Sequence, residues 1–168
     1  MHPNEEIIHT FYKAIQDKDP QTMVNCYHKN IEFSDPVFGN IKGDRVRAMW
    51  FMLVERGGDN LHVAYDEVQA NDYSGSAKWI ATYKFGPKKR KVVNKVVATF
   101  YFQNGKILQH TDHFDLSKWA KQALGLKGFL LGKTQFLKRK IQQQSSASLS
   151  KYLRAMRSFE KDALLEKY

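Results

Sequence analysis

Apolar positions recur with two different periods along this chain, and the change of period divides it. Between residues 4 and 17, Ile7, Ile8, Phe11, Tyr12 and Ile15 follow the spacing that gathers side chains onto one helix face. Asn4 stands where an N-cap is expected. Asp19-Pro20 opens a second helix, with the acid as cap and proline in the first turn, and Met23, Val24 and Tyr27 form its inner face. Ile31-Glu32-Phe33 reads as a short strand. Ser34–Asn40, punctuated by Pro36 and Gly39, reads as a loop. A third helix begins at Gly43-Asp44, turns Val46, Met49, Trp50, Leu53 and Val54 inward, and stops at Gly57-Gly58.

From Leu61 the period falls to two. Leu61–Ala70, Ser76–Phe85, Val92–Gln103 and Lys106–Asp115 are rich in β-branched and aromatic residues. Asn104-Gly105 predicts a two-residue hairpin. Asn71–Gly75 and Gly86–Lys91 are longer turns. A meander of this kind must bury one face, and the preceding helices can cover it. The order predicts an α+β domain over residues 1–116: a curved antiparallel sheet wrapped on three N-terminal helices. Such a cone has an interior, and ligand sites favour concavities of that kind.

Residues 117–168 return to helical spacing. Trp119, Ala120 and Ala123 mark a short helix, and Gly125, Gly128 and Gly132 break the stretch after it. Leu137 and Ile141 begin another helix. Beyond the polar Gln142–Ser148 stretch, Leu149, Tyr152, Leu153, Met156, Phe159, Ala163 and Leu164 form an apolar stripe with basic residues on the remaining faces. The expectation is a helical C-terminal extension whose stripe packs on the domain or on a second subunit.

Charge sharpens this division. The formal net charge is +10, and residues 117–168 hold 12 Lys and Arg against 3 Asp and Glu, so nearly all of the excess lies there. A basic extension of this kind could meet a membrane surface or a polyanion. Nucleic acid is not expected, because basic and aromatic residues do not interleave as stacking requires. Pro87-Lys88-Lys89-Arg90-Lys91 reads as a solvated hairpin loop, with a localisation or phosphate-binding patch as the alternative. The apolar content of 42% is that of a globular chain. Cys26 is the single cysteine, which excludes an internal disulfide and zinc-type spacing, and its helical neighbours imply a packed thiol. The first 20 residues lack an apolar run of about 7–15 residues, so no secretory leader is expected and a cytoplasmic setting is the default.

The chemistry concentrates in His110-Thr111-Asp112-His113-Phe114-Asp115. On a regular strand Leu108, His110, Asp112 and Phe114 share one face, with the histidine and the carboxylate roughly 7 Å apart. In an apolar pocket burial raises a carboxyl toward neutrality, and the pair can then transfer protons. The alternative is a structural His–Asp hydrogen bond closing one end of the cone. His113 and Asp115 fall on the other face as surface and helix-entry residues, so a metal ion shared by the two histidines is not expected. Asp35 either caps its own Asp-Pro turn or adds a second carboxylate to the pocket.

These elements resemble the nuclear transport factor 2-like (cystatin-like) superfamily: helix, helix, short strand, Asp-Pro loop, helix, then four strands. The string from Gly105 to Asp115 resembles the motif of SnoaL-like polyketide cyclases, Gly-Lys-Ile, two residues, His-Trp-Asp, with Thr111 replacing the tryptophan. That resemblance implies an acid/base role for Asp112, with His110 beside it. Ser34-Asp35-Pro36-Val37-Phe38-Gly39 is similar to the loop bearing the catalytic base of ketosteroid isomerases, which implies that role for Asp35 and an oxyanion-donor role for Tyr12. Ala98 stands where that family places a further aspartate.

The resulting expectation is a small-molecule enzyme of isomerase, cyclase or hydratase/hydrolase type. It would take an apolar or carbonyl-containing ligand, use no metal or organic cofactor, and form a homodimer. Asp112, His110 and Asp35 would be its catalytic groups. Tyr12, Phe33, Phe38, Trp50, Trp79 and Phe114 would bind the ligand. The alternatives are a noncatalytic binding module for an apolar molecule and membrane or polyanion association through the tail.

Overall fold

The computed structural model describes residues 1–126, 130 and 134–165; Gly128 and Gly132, expected as helix breakers, lie outside them. The elements run α1 (Pro3–Gln16), α2 (Pro20–Asn25), β1 (Tyr27–Asp35), β2 (Gly39–Lys42), α3 (Asp44–Gly57), a 3-10 turn (Gly58–Asn60), β3 (His62–Ala70), β4 (Ser74–Phe85), β5 (Arg90–Gln103), β6 (Lys106–His113), α4 (Leu116–Leu124) and α5 (Gln135–Leu165). The six strands form one sheet in the order β2-β1-β6-β5-β4-β3. It is a mixed α+β fold with an open, curved sheet, as the two periods predict.

The helix starts have identifiable causes. Asp19 caps α2 by accepting from Thr22 N at 3.0 Å. The cap of α1 is His2 and not Asn4: His2 Nδ1 accepts from Asn4 N while Glu5 accepts from His2 N, a reciprocal capping box. Asn4 is the second residue of α1, buried, and donates to the carbonyls of Asn71 and Asp72. It thereby ties α1 to the β3–β4 turn. Gly75 on the sheet permits a close approach: a Cβ there would lie 2.9 Å from Ile8 Cδ1 and from the Gln69 carbonyl oxygen.

Three departures from regular pairing curve the sheet. β3 carries an extra residue between Asp66 and Gln69, with Glu67 at φ +49°. β6 carries one at Leu108, since Tyr101 faces Gln109 while Phe102 faces Ile107. Such bulges bend a strand and increase its twist. The β6 bulge also corrects the simple alternation expected there. Ile107 joins His110 and Asp112 on the buried side, and Leu108 is only half-buried. The third irregularity lies early in β1, where the register jumps between Tyr27 and Glu32.

Two strand features escape the periodicity reading. β2, whose Gly39 and Asn40 were expected in the Ser34–Asn40 loop, pairs with the end of β1 and buries only Ile41. β1 runs parallel to β6, whereas the other neighbouring strands are antiparallel. Tyr27, expected on the second helix, opens β1.

The core lies between α1, α3 and the concave sheet face, with Ile8, Phe11, Tyr12, Phe33, Met49 and Phe100 fully enclosed. A second cluster joins Val92 of β5 to Trp119, Ala120 and Ala123 of α4 and to Leu137 and Ile141 of α5. α5 runs without interruption through the polar Gln142–Ser148 stretch. Its Leu149 is fully buried, and Tyr152, Leu153 and Met156 pack on the main core. Phe159 and Leu164 are exposed beyond that. Among the described residues, no helix is long and apolar enough to cross a membrane. Cys26 is buried, with its Sγ donating to the Thr22 carbonyl, and burial pushes its thiol up to about 11. It is an inert packing residue by this measure.

Candidate active site

A cavity of about 670 Å³ opens between the concave sheet face, α3 and the two C-terminal helices. Its inner wall on β4 is set by alternation: Trp79, Ala81, Tyr83 and Phe85 point to the same side. α3 supplies Trp50, and β1 supplies Phe33 and, at its end, Asp35. β6 supplies Asp112, and Phe114 follows just beyond that strand. The tail closes the opposite side with Trp119 of α4 and Ile141, Gln144, Ser145 and Ser148 of α5. The polar stretch of α5 is therefore a cavity wall, and this is why it lacks an apolar signature.

Asp35 does two jobs at once. Its Oδ1 accepts from the backbone N–H of Val37 at 2.9 Å and of Phe38 at 2.5 Å, an Asx turn that fixes the side chain. The carboxyl group also lines the cavity. It is half-buried because its accessible part faces that space. Burial pushes its carboxyl up to about 7; the charge of Asp112 adds to the rise, while the Phe38 and Val37 hydrogen bonds oppose it. From α5, Gln142 donates to the Pro36 carbonyl at 3.2 Å and so braces this turn.

Asp112 is held differently. Its Oδ1 accepts from Trp79 Nε1 at 3.1 Å and lies 3.1 Å from His110 Nε2. His110 Nδ1 is 2.8 Å from Tyr27 Oη, which accepts from Trp50 Nε1 at 2.8 Å. Indole N–H can only donate, so Tyr27 accepts from Trp50. The His110 tautomer that carries its proton on Nε2 donates to Asp112 and accepts the Tyr27 hydroxyl at Nδ1. The chain Trp50–Tyr27–His110–Asp112 is a continuous buried relay. Burial, with the Asp112 charge, raises the Tyr27 hydroxyl well above its usual value and keeps it protonated.

The cavity thus brings together seven of the expected site residues: Asp35, Asp112, Phe33, Phe38, Trp50, Trp79 and Phe114. Two stand apart. His110 is fully buried behind Asp112 and reaches the cavity only through that carboxylate. Tyr12 is not among the lining residues. It is enclosed by a stacked Tyr65 and by Trp79 and Phe100, and its hydroxyl has no hydrogen-bond partner among the described residues. Its position on the sheet-packing face of α1 puts it in the core, which corrects the expected orientation toward the ligand. Tyr27 of the relay, and Tyr83 and Trp119 of the cavity wall, were not expected as site residues. For Tyr83 the signal was present: it alternates in phase with Trp79 along β4.

A family model described as the SnoaL-like domain matches residues 8–110. The chain belongs to that family. Solved structures agree on the fold of this SnoaL-like domain. TerC co-crystallised with polyporic acid is 16% identical, with a TM-score of 0.62 over 72% of this chain and 98% of its own. SalBIII, an epoxide hydrolase/cyclase-like enzyme with a role in pyran ring formation in salinomycin, is 16% identical, with a TM-score of 0.60 over 68% and 92%. An epoxide hydrolase of the LEH-like type from M. tuberculosis is 18% identical, with a TM-score of 0.59 over 78% and 97%. Identities this low establish the shared fold and leave the reaction to the site. No curated protein sequence matches the chain closely enough to identify a relative.

Proposed function

We propose that this SnoaL-like domain is an acid–base catalyst that isomerises or cyclises an apolar carbonyl compound. One observation carries the reading: a carboxyl group titrating at about 7, pinned by two backbone N–H groups, faces an aromatic-walled cavity. Proton transfer is most efficient when the pKa lies near the working pH. Ionised Asp35 removes a proton from the carbon next to the carbonyl, and the C–H electron pair moves onto the carbonyl oxygen as an enolate. Returning that proton to another carbon completes an isomerisation. Alternatively the enolate carbon closes on a second carbonyl, whose oxygen takes the proton from Asp35. Either way the carboxylate is regenerated.

Asp112 is the second proton site. Trp79 and His110 engage one of its oxygens, and its charge adds to the rise that burial gives the Asp35 carboxyl. The SnoaL-like family and the cyclase-like and hydrolase-like structures of the same fold support a small-molecule reaction of this type.

The test is hydrogen–deuterium exchange next to the carbonyl of aryl alkyl ketones such as propiophenone and 1-tetralone in D2O, followed by NMR. Exchange above the buffer rate, lost in Asp35→Asn, is the expected result. No acceleration with any ketone overturns the carbonyl reading, and equal rates in both proteins overturn the role of Asp35. Equal ligand-induced rises in Tm without exchange would make the domain a binding module. The outer sheet face exposes Ile80, Val97 and Tyr101, and we take its partner to be a second copy of the chain. A monomer by sedimentation at micromolar concentration would refute that.

A further inference from the structure

The two indole–tyrosine pairs of this protein are alike in one respect and differ in another. In each, a tryptophan N–H donates to a tyrosine oxygen: Trp50 to Tyr27 at 2.8 Å and Trp119 to Tyr83 at 2.7 Å. The indole nitrogen has no lone pair to offer, so each tyrosine oxygen is fixed as acceptor and its own proton must go elsewhere. Tyr27 Oη has a second partner in His110 Nδ1, 2.8 Å away, which can take that proton. Among the described residues, Tyr83 has no such acceptor, and both Tyr83 and Trp119 line the cavity.

Tyr83 stands close enough to Asp35 for that carboxylate's charge to act on its hydroxyl. Phe85, two residues along the same face of β4, packs edge-on against Trp119 with ring centroids 5.3 Å apart. The indole is therefore held between β4 and α4. A phenol whose oxygen is held by an indole N–H, within electrostatic reach of the base and in a cavity walled by aromatic rings, has its O–H available for a developing oxyanion.

We propose that Tyr83 is the hydrogen-bond donor to the substrate's carbonyl oxygen, and that Trp119 is the positioning residue that aims it. This rests on the carbonyl reading above and specifies its site: the substrate oxygen lies between Tyr83 and α4, and the acidic carbon lies toward Asp35. Tyr83 takes over the part that the sequence suggested for Tyr12. No proton leaves it, because burial pushes its hydroxyl up to about 12, and it acts through a hydrogen bond that shortens as the enolate forms. The positioning residue belongs to α4, beyond the residues 8–110 that the family model matches. Substrate polarisation would thus depend on the extension that succeeds the cone.

Infrared spectroscopy of bound 13C=O-labelled propiophenone provides the test. In the wild-type protein the carbonyl band should shift to lower frequency than in an apolar solvent. Tyr83→Phe should remove most of that shift and slow exchange about 10²–10³-fold, the usual effect of losing one oxyanion donor. Trp119→Phe keeps a ring against Phe85 and removes only the N–H. It should broaden the band and lower kcat with little change in KM. Asp35→Asn should abolish exchange and keep the shifted band. A full shift in Tyr83→Phe with the ketone bound overturns the Tyr83 assignment and leaves the role of Asp35 standing. A wild-type protein that binds no aryl ketone overturns both.

Discussion

The two carboxylates of the cavity show how one fold prepares similar groups for different work. Asp35 is held by backbone: two N–H groups of its own turn fix one oxygen, and the turn is braced from outside by Gln142. Asp112 is held by side chains, directly by Trp79 and His110 and behind them by Tyr27 and Trp50 in one chain of hydrogen bonds. The first arrangement leaves a carboxyl that changes charge near neutral pH. The second anchors a negative charge that influences its neighbours. Local sequence suffices for Asp35, whereas Asp112 depends on strands and helices meeting correctly.

The sharpest way to break this contrast is to neutralise each carboxylate in turn. Asp35→Asn should lower kcat/KM by about 10²–10⁴, the range for a general base. In the wild-type protein kcat/KM should rise with pH through about 7 as Asp35 ionises. Asp112→Asn leaves the burial that raises Asp35 and removes the charge that adds to it, so the acid limb of the pH profile should move to lower pH while activity remains measurable. A limb that stays in place would show that the two groups do not communicate.

The relay invites a second comparison. Tyr27→Phe strands the Trp50 N–H and the His110 Nδ1 in a dry core, and should cost about 1–3 kcal/mol in urea unfolding. Tyr12→Phe removes a hydroxyl that lacks a partner among the described residues, so it should not lower Tm or alter exchange rates. Equal losses from the two changes would mean that hydrogen-bond pairing does not distinguish these buried tyrosines.

The last contrast concerns stability against pH. Folding raises the Asp35 pKa from the ordinary carboxylate range to about 7, so the native state binds its proton more tightly than the unfolded chain. The resulting stability is complete at pH below about 4 and is lost as pH rises through about 7. Thermal melts between pH 4 and 7.5 should show Asp35→Asn gaining on the wild-type protein as the pH increases.

Legibility in the sequence tracks the range of the interactions involved. The Asp19 cap and the helical and strand periods are local, and the structure carries them. So is the Asn104-Gly105 turn, with both residues at positive φ. The Asp-Pro turn announced Asp35 for the same reason. Four residues are too few for β2 to display a period. The parallel pairing of β1 with β6 joins segments some 80 positions apart, and no local residue records it. The bulge at Leu108 breaks an otherwise sound alternation. The polar Gln142–Ser148 stretch of α5 shows no apolar stripe because Gln144, Ser145 and Ser148 line the cavity and not packed core. Tyr83 and Trp119 become a pair only once α4 has folded back onto β4.

The placement of the large rings has a practical consequence. The chain has three tryptophans, Trp50, Trp79 and Trp119, and all three line the cavity. Intrinsic fluorescence from this protein is thus emitted beside a single space. A ligand entering it displaces solvent next to indoles at its inner end and at its tail-built wall. The fold carries its own optical gauge of occupancy, and unlabelled protein can be screened against unknown compounds before any reaction has been identified.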